Sequence, residues 1–92
     1  MADSVIDNEA QRRFELPVGD ATAVATYELD GDRIVLLHTE VPRELSGRGI
    51  GSRLAQGVFE RIRGSGRKAV PRCPFMAKWV DGRAEYADLV VR

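Results

Sequence analysis

Gly47, Gly49 and Gly51 alternate between an apolar run that ends at Val41-Pro42 and an amphipathic run that opens at Ile50. Backbone is bare at such a turn. The first turn of a helix also offers N–H groups without an intrahelical partner, at the positive end of its dipole. The N–H groups of Arg48, Gly49, Ile50, Gly51 and Ser52, with the side chains of Arg48 and Arg53, therefore suit a phosphate-bearing ligand. A tight turn with close helix packing is the plain alternative for the same glycines. Other reactive groups are few. Cys73 is the single cysteine and His38 the single histidine, which excludes an internal disulfide, a multi-cysteine zinc site and an HExxH motif. Cys73 lies between Arg72 and Pro74, and a helix starting near Pro74 would stabilise its thiolate; a buried inert thiol is the other reading. His38, near the end of an apolar strand, is either packed and hydrogen-bonded or a base. Glu40 is a second candidate base, since burial raises a carboxylate's pKa.

The elements that must position these groups are legible from periodicity. Residues 1–9 read as a flexible polar tail and 10–92 as one domain. Gln11 to Leu16 reads as a first strand, Pro17 to Asp20 as a turn, and Thr22 to Leu29 as a strand by its alternation. Asp30-Gly31 is a hairpin signal. Arg33 to Val41 is the next strand, its first half apolar enough to be covered on both faces. These three segments form an antiparallel meander. Ile50, Leu54, Val58 and Ile62, with Ala55 and Phe59, make one apolar stripe of a helix from about Gly49 to Arg63, which Gly64-Ser65-Gly66 stops. Lys68 to Pro71 is a short strand, parallel to the last because a strand–helix–strand crossover closes that way. Pro74 to Val80 suits a second helix, with Phe75, Met76 and Trp79 in the core, and residues 85–92 close the chain as helix or strand. The fold class is α+β.

At 92 residues, 43% hydrophobic and 30% charged, the chain has the composition of a soluble globular protein. Its N-terminus is acidic and has no apolar core like that of a signal peptide, and no apolar run is long enough for a bilayer, so a cytoplasmic location and no membrane partner are expected. The net charge of zero is unevenly spread: residues 43–78 carry nine bases against Glu44 and Glu60. That block is either a solvated helix face or a field that attracts a polyanion. No motif supports nucleic acid. A dinucleotide fingerprint fails on its third glycine spacing, and a P-loop fails because Gly-Lys is absent.

Meander, Gly-x-Gly-x-Gly turn, amphipathic helix and parallel strand resemble the GNAT N-acetyltransferases, whose equivalent turn has the pattern Gln/Arg-x-x-Gly-x-Gly/Ala. Ser46, Gly49 and Gly51 occupy those positions, with Ser46 in place of the usual Gln or Arg. His38 to Pro42, Gly47 to Gly51, Val70 to Phe75 and Glu85 to Leu89 together resemble the small single-domain GNAT-like subfamily, a trimmed acetyltransferase that keeps the acetyl-CoA half. The resemblance implies acetyl-CoA as cosubstrate, no metal, and the pyrophosphate at the turn. It implies that the strand end around Glu40 and Val41 lines the pantetheine, and that Tyr86 protonates the leaving thiolate; apolar packing beside Leu89 is the alternative for Tyr86. It also implies a sheet splayed near Cys73, which would take the acetyl group transiently before an amine or thiol acceptor receives it. A non-catalytic acetyl-CoA sensor or carrier, or an interaction domain with a purely structural turn, are the competing readings.

Overall fold

In the computed structural model, which describes residues 5–91, one five-stranded sheet carries both helices on a single face. The strands are β1 (Ile6–Asn8), β2 (Arg13–Val18), β3 (Ala21–Asp30), β4 (Arg33–Glu40) and β5 (Lys68–Pro71), in that spatial order. The first four pair antiparallel and β4 pairs parallel to β5. Helix α1 (Ile50–Ser65) supplies the β4-to-β5 crossover, and α2 (Pro74–Asp81) follows β5. The meander, the crossover and the parallel strand thus match the expected architecture.

Alternation explains which face is covered. Phe14, Leu16, Ala23, Ala25 and Tyr27 turn inward and meet Leu54, Val58, Phe59 and Ile62 of α1. Thr22, Val24, Thr26 and Glu28 lie on the opposite face. Ile34, Val35 and Leu36 are all buried, as the apolar first half of β4 predicts. Gly66, at φ 77°, ends α1 in the left-handed conformation, and its N–H donates to Arg63 O.

Several expectations are corrected. The tail expected to run through residue 9 is ordered from Val5, which is buried, and Ile6–Asn8 is a strand; residues 1–4 lie outside the described residues. Gly57 is the reason. A Cβ there would lie 2.1 Å from Val5 Cγ2, so the missing side chain is the notch that Val5 fills. Arg61 Nε donates to Val5 O at 2.8 Å, and Tyr27 Oη donates to Asp7 at 2.5 Å. The first predicted strand begins two residues late and takes in Pro17 and Val18. Pro17 fits there because β1 pairs with β2 only as far as Glu15, leaving the proline on a free edge. The chain end from Ala84 to Leu89 is a 3-10 helix followed by a single parallel bridge, Ala69 to Val90.

Candidate active site

The turn before α1 is open and unsatisfied. Ser46 to Gly49 are exposed, and Gly47 and Gly49 adopt φ of 81° and 71°. No side chain caps the helix, and the first intrahelical bond runs from Arg53 N to Gly49 O at 3.1 Å. The N–H groups of Ile50, Gly51 and Ser52 therefore have no acceptor in the helix. Cβ atoms built on Gly47 or Gly49 meet nothing within 4 Å, so the backbone of these two residues is bare on that side. Successive N–H groups around left-handed residues form an anion-binding concavity. Gly51 is different: a Cβ there would touch Phe75 Cζ at 3.0 Å, so this glycine admits the Phe75 ring. Phe75, expected in the core, is 42% exposed and lies against the first turn of α1 instead. Arg48 is exposed and Arg53 half-buried, while Ile50 is a core anchor.

A register slip sorts the residues at the end of β4. Tyr27 pairs with Leu36 but Thr26 pairs with His38, so Leu37 has no opposite residue. Beyond the slip Thr39 faces Ala25, on the helix-covered side, whereas His38 and Glu40 face Thr26 and Val24 on the other. His38 and Glu40 are exposed, with 3.9 Å between Nε2 and Oε2. Thr39 Oγ1 lies 3.2 Å from Cys73 Sγ. Cys73 is buried at the start of α2, its N–H donating to Leu36 O at 2.9 Å, and Arg72 N–H shares that carbonyl at 3.0 Å. Strand pairing between β4 and β5 stops at Leu36–Pro71, so among the described residues 37–40 have no strand partner on that side. Val41, half-buried, extends this free edge toward the turn.

Tyr86 is drawn into a different cluster. Its ring lies 5.8 Å from those of both Phe59 and Trp79, and its hydroxyl donates to Glu60 at 2.6 Å. Burial, then the Glu60 hydrogen bond, pushes its pKa up to about 12. Glu60 stands ten residues after Ile50, roughly 15 Å along the helix at 1.5 Å per residue. The structure therefore brings Thr39 to Cys73, leaves His38 and Glu40 on the opposite face, and holds Tyr86 well along α1 from the glycine turn. Thr39 was missed because strict alternation along β4 puts it on the wrong face; only the slip turns it toward Cys73. Trp79, read as core, is half-buried and donates from Nε1 to Ser52 Oγ at 2.8 Å.

A groove of about 690 Å³ also runs beside α1, lined by Asp7, Gln56, Glu60, Arg61 and Arg67 among others. It touches neither the glycines of the turn nor Cys73. Among the described residues no cluster of His, Cys, Asp or Glu could hold a metal ion, and no helix is long and apolar enough to cross a membrane.

Residues 13–89 match the family model described as GCN5-related N-acetyl-transferase. Protein NATD1 of Mus musculus is 37% identical over 79 residues, which is 82% of this chain and 72% of the relative. Protein NATD1 of Homo sapiens is 42% identical over 59 residues, 63% of this chain and 52% of the relative. A solution NMR structure from Staphylococcus aureus, described as GCN5-like and proposed as an N-acetyltransferase, superposes with a TM-score of 0.72 and 27% identity, over 98% of this chain and 89% of that one.

Proposed function

The chain belongs to the GCN5-related N-acetyltransferase family, and from that premise we propose that this acyltransferase binds acetyl-CoA at the Gly47–Ser52 turn and hands the acetyl group on beside Cys73. The single observation that carries the reading is the exposed glycine turn that opens α1 with no capping side chain, leaving the N–H groups of Ile50, Gly51 and Ser52 without an acceptor in the helix. A diphosphate suits it: the donors are without helical acceptors, the helix dipole is positive there, and Arg48 and Arg53 add charge. The unpaired edge of β4, from Leu37 through Val41, supplies free backbone groups for the amide-bearing pantetheine arm. That arm leads from the turn toward Thr39 and Cys73.

Acetyl-CoA supplies an activated acetyl thioester. Cys73 and Thr39 act on it at the point where β4 and β5 part. In the first step the Cys73 Sγ–carbon bond forms as the CoA sulfur–carbon bond breaks, and the Cys73 thiol proton passes to the CoA sulfur. Thr39 Oγ1, beside Sγ, holds that proton's path and orients the thiol. In the second step an amine attacks the acetylated Cys73: the nitrogen–carbon bond forms, the Sγ–carbon bond breaks, and the amine's proton returns to the thiol. His38 and Glu40 sit across the sheet from this path, so the chain's own proton traffic falls to Thr39, Cys73 and the acceptor.

Intact mass spectrometry after incubation with acetyl-CoA tests the transfer. A gain of one acetyl group that is absent in Cys73→Ala supports the two-step route. Equal turnover of an amine acceptor by wild type and Cys73→Ala replaces it with direct transfer. Release of CoA across a panel of amines, peptides and small thiols identifies the acceptor.

A further inference from the structure

Trp79 is the chain's one tryptophan, and its ring is held on three sides. Phe59 stacks on it with centroids 5.7 Å apart and planes 7° from parallel. The guanidinium of Arg83 lies over the ring at 4.0 Å. The indole Nε1 donates to Ser52 Oγ at 2.8 Å. An indole N–H is donor only, and a serine hydroxyl both accepts and donates. Ser52 thus has its oxygen occupied from the α2 side while its own proton stays available. A serine in the first turn of a helix otherwise tends to bond backward to a carbonyl of its own chain. Here its position is set by a bond from another helix.

We propose that Trp79 is a positioning residue for cosubstrate binding: its indole N–H pins Ser52 so that the Ser52 hydroxyl donates to the pyrophosphate held at the turn. The inference rests on the reading that the turn binds acetyl-CoA. The chain of donors runs from Trp79 Nε1–H to Ser52 Oγ–H to a phosphate oxygen, and each bond polarises the next. Phe59 and Arg83 fix the ring plane, which keeps the donor aimed without spending ligand-binding energy on ordering it. The relay also couples α2 to the phosphate end of α1.

The test is NMR of the ¹⁵N-labelled 92-residue chain, in which the one tryptophan gives one indole N–H signal. Titration with CoA, and separately with inorganic pyrophosphate, is expected to move that signal downfield together with the amides of Gly47 to Ser52. In Ser52→Ala the amides move and the indole does not. Trp79→Phe keeps an aromatic ring beside Phe59 and removes the donor, and in the folded variant it lowers CoA affinity about fivefold, the worth of one hydrogen bond. Ser52→Ala lowers it by a similar factor, and the double variant is no worse than either single one. An indole signal that stays still while the turn amides shift to saturation overturns the relay and leaves the turn as the binding site. Additive losses in the double variant overturn it as well. Turn amides that ignore both CoA and pyrophosphate remove the binding site itself and the relay with it.

Discussion

The two ends of α1 use polar groups in opposite ways. At the N-terminal end, the N–H groups of Ile50, Gly51 and Ser52 have no acceptor in the helix and no capping side chain. Toward the C-terminal end, Glu60 accepts from Tyr86, Arg63 pairs with Asp88 and reaches Glu85 O, and Ser65 bonds Ile62 O. One helix thus has a closed end and an open one. In the proposed reading, the open end is the one that receives the ligand, and the closed end is structural. The contrast also separates candidate residues by role: the glycine turn belongs to the open end, and Tyr86 belongs to the closed one. Trp79 bridges them, with its ring against Phe59 and Tyr86 and its N–H on Ser52.

The sharpest way to break the comparison is Gly49→Val. Its side chain would project from the bare backbone of the turn, where the proposed ligand sits, and φ of 71° is poor for a β-branched residue. CoA affinity is expected to fall by about a hundredfold or more, ~2.7 kcal/mol, by calorimetry on folded protein. Gly51→Ala is the control. Its Cβ meets only the end of the exposed Phe75 ring, which can shift, so a loss of less than about fivefold is expected. Undiminished affinity in folded Gly49→Val protein removes the turn from the site.

At the closed end the effects are on stability. Gly57→Ala drives a methyl into Val5 and is expected to cost about 1–3 kcal/mol in urea unfolding, with CoA affinity unchanged. Tyr86→Phe loses the bond to Glu60 and is expected to cost about 1 kcal/mol, again without touching CoA affinity. A large loss of CoA binding in Tyr86→Phe would return that hydroxyl to the chemistry.

Alkaline titration sharpens the same point. Tyr27 and Tyr86 are the two tyrosines, and burial followed by a carboxylate hydrogen bond raises each to about 12. Because the folded pKa lies above the unfolded value near 10, the stabilisation is complete below pH 10 and is lost as pH rises from 10 through about 12. Absorbance at 295 nm should show no phenolate in the folded protein near pH 10, while the urea-unfolded chain titrates there. A folded-state phenolate near pH 10 would mean that one hydroxyl is free of its carboxylate.

How much of this was readable in the residues depends on how local each cause is. The α1 stripe of Ile50, Leu54, Val58 and Ile62, the Asp30-Gly31 hairpin and the glycine turn are set by near neighbours, and all appear as expected. The seating of Val5 needed a partner 52 positions away, Gly57, whose notch is invisible until strands and helix are stacked. Phe75 had the composition of a core residue but the geometry of a surface one, because Met76 and Val80 take the inward side of α2. The facing of β4 turned on one unpaired residue, Leu37, and alternation has no way to report an extra residue in one strand.

That slip yields the prediction with the smallest effect and the finest discrimination. His38 and Thr39 are adjacent in the chain and so point to opposite faces of the sheet, and the slip decides that Thr39 is the one on the helix-covered side. His38 is exposed, with Nε2 3.9 Å from Glu40 Oε2. Thr39 lies against the Cys73 thiol. His38→Gln is therefore expected to change kcat/KM less than about twofold and to leave its pH profile in place, since a residue outside the proton path contributes little. Thr39→Val keeps the shape and removes the hydroxyl, and its acetylation rate at Cys73 should fall several-fold more than that of His38→Gln. Rates of acetyl mass gain for the two variants, measured side by side from pH 6 to 9, decide which face carries the chemistry. If His38→Gln abolishes the neutral-pH limb of the profile while Thr39→Val is silent, the reacting groups meet on the open face of the sheet, and the buried thiol is structural.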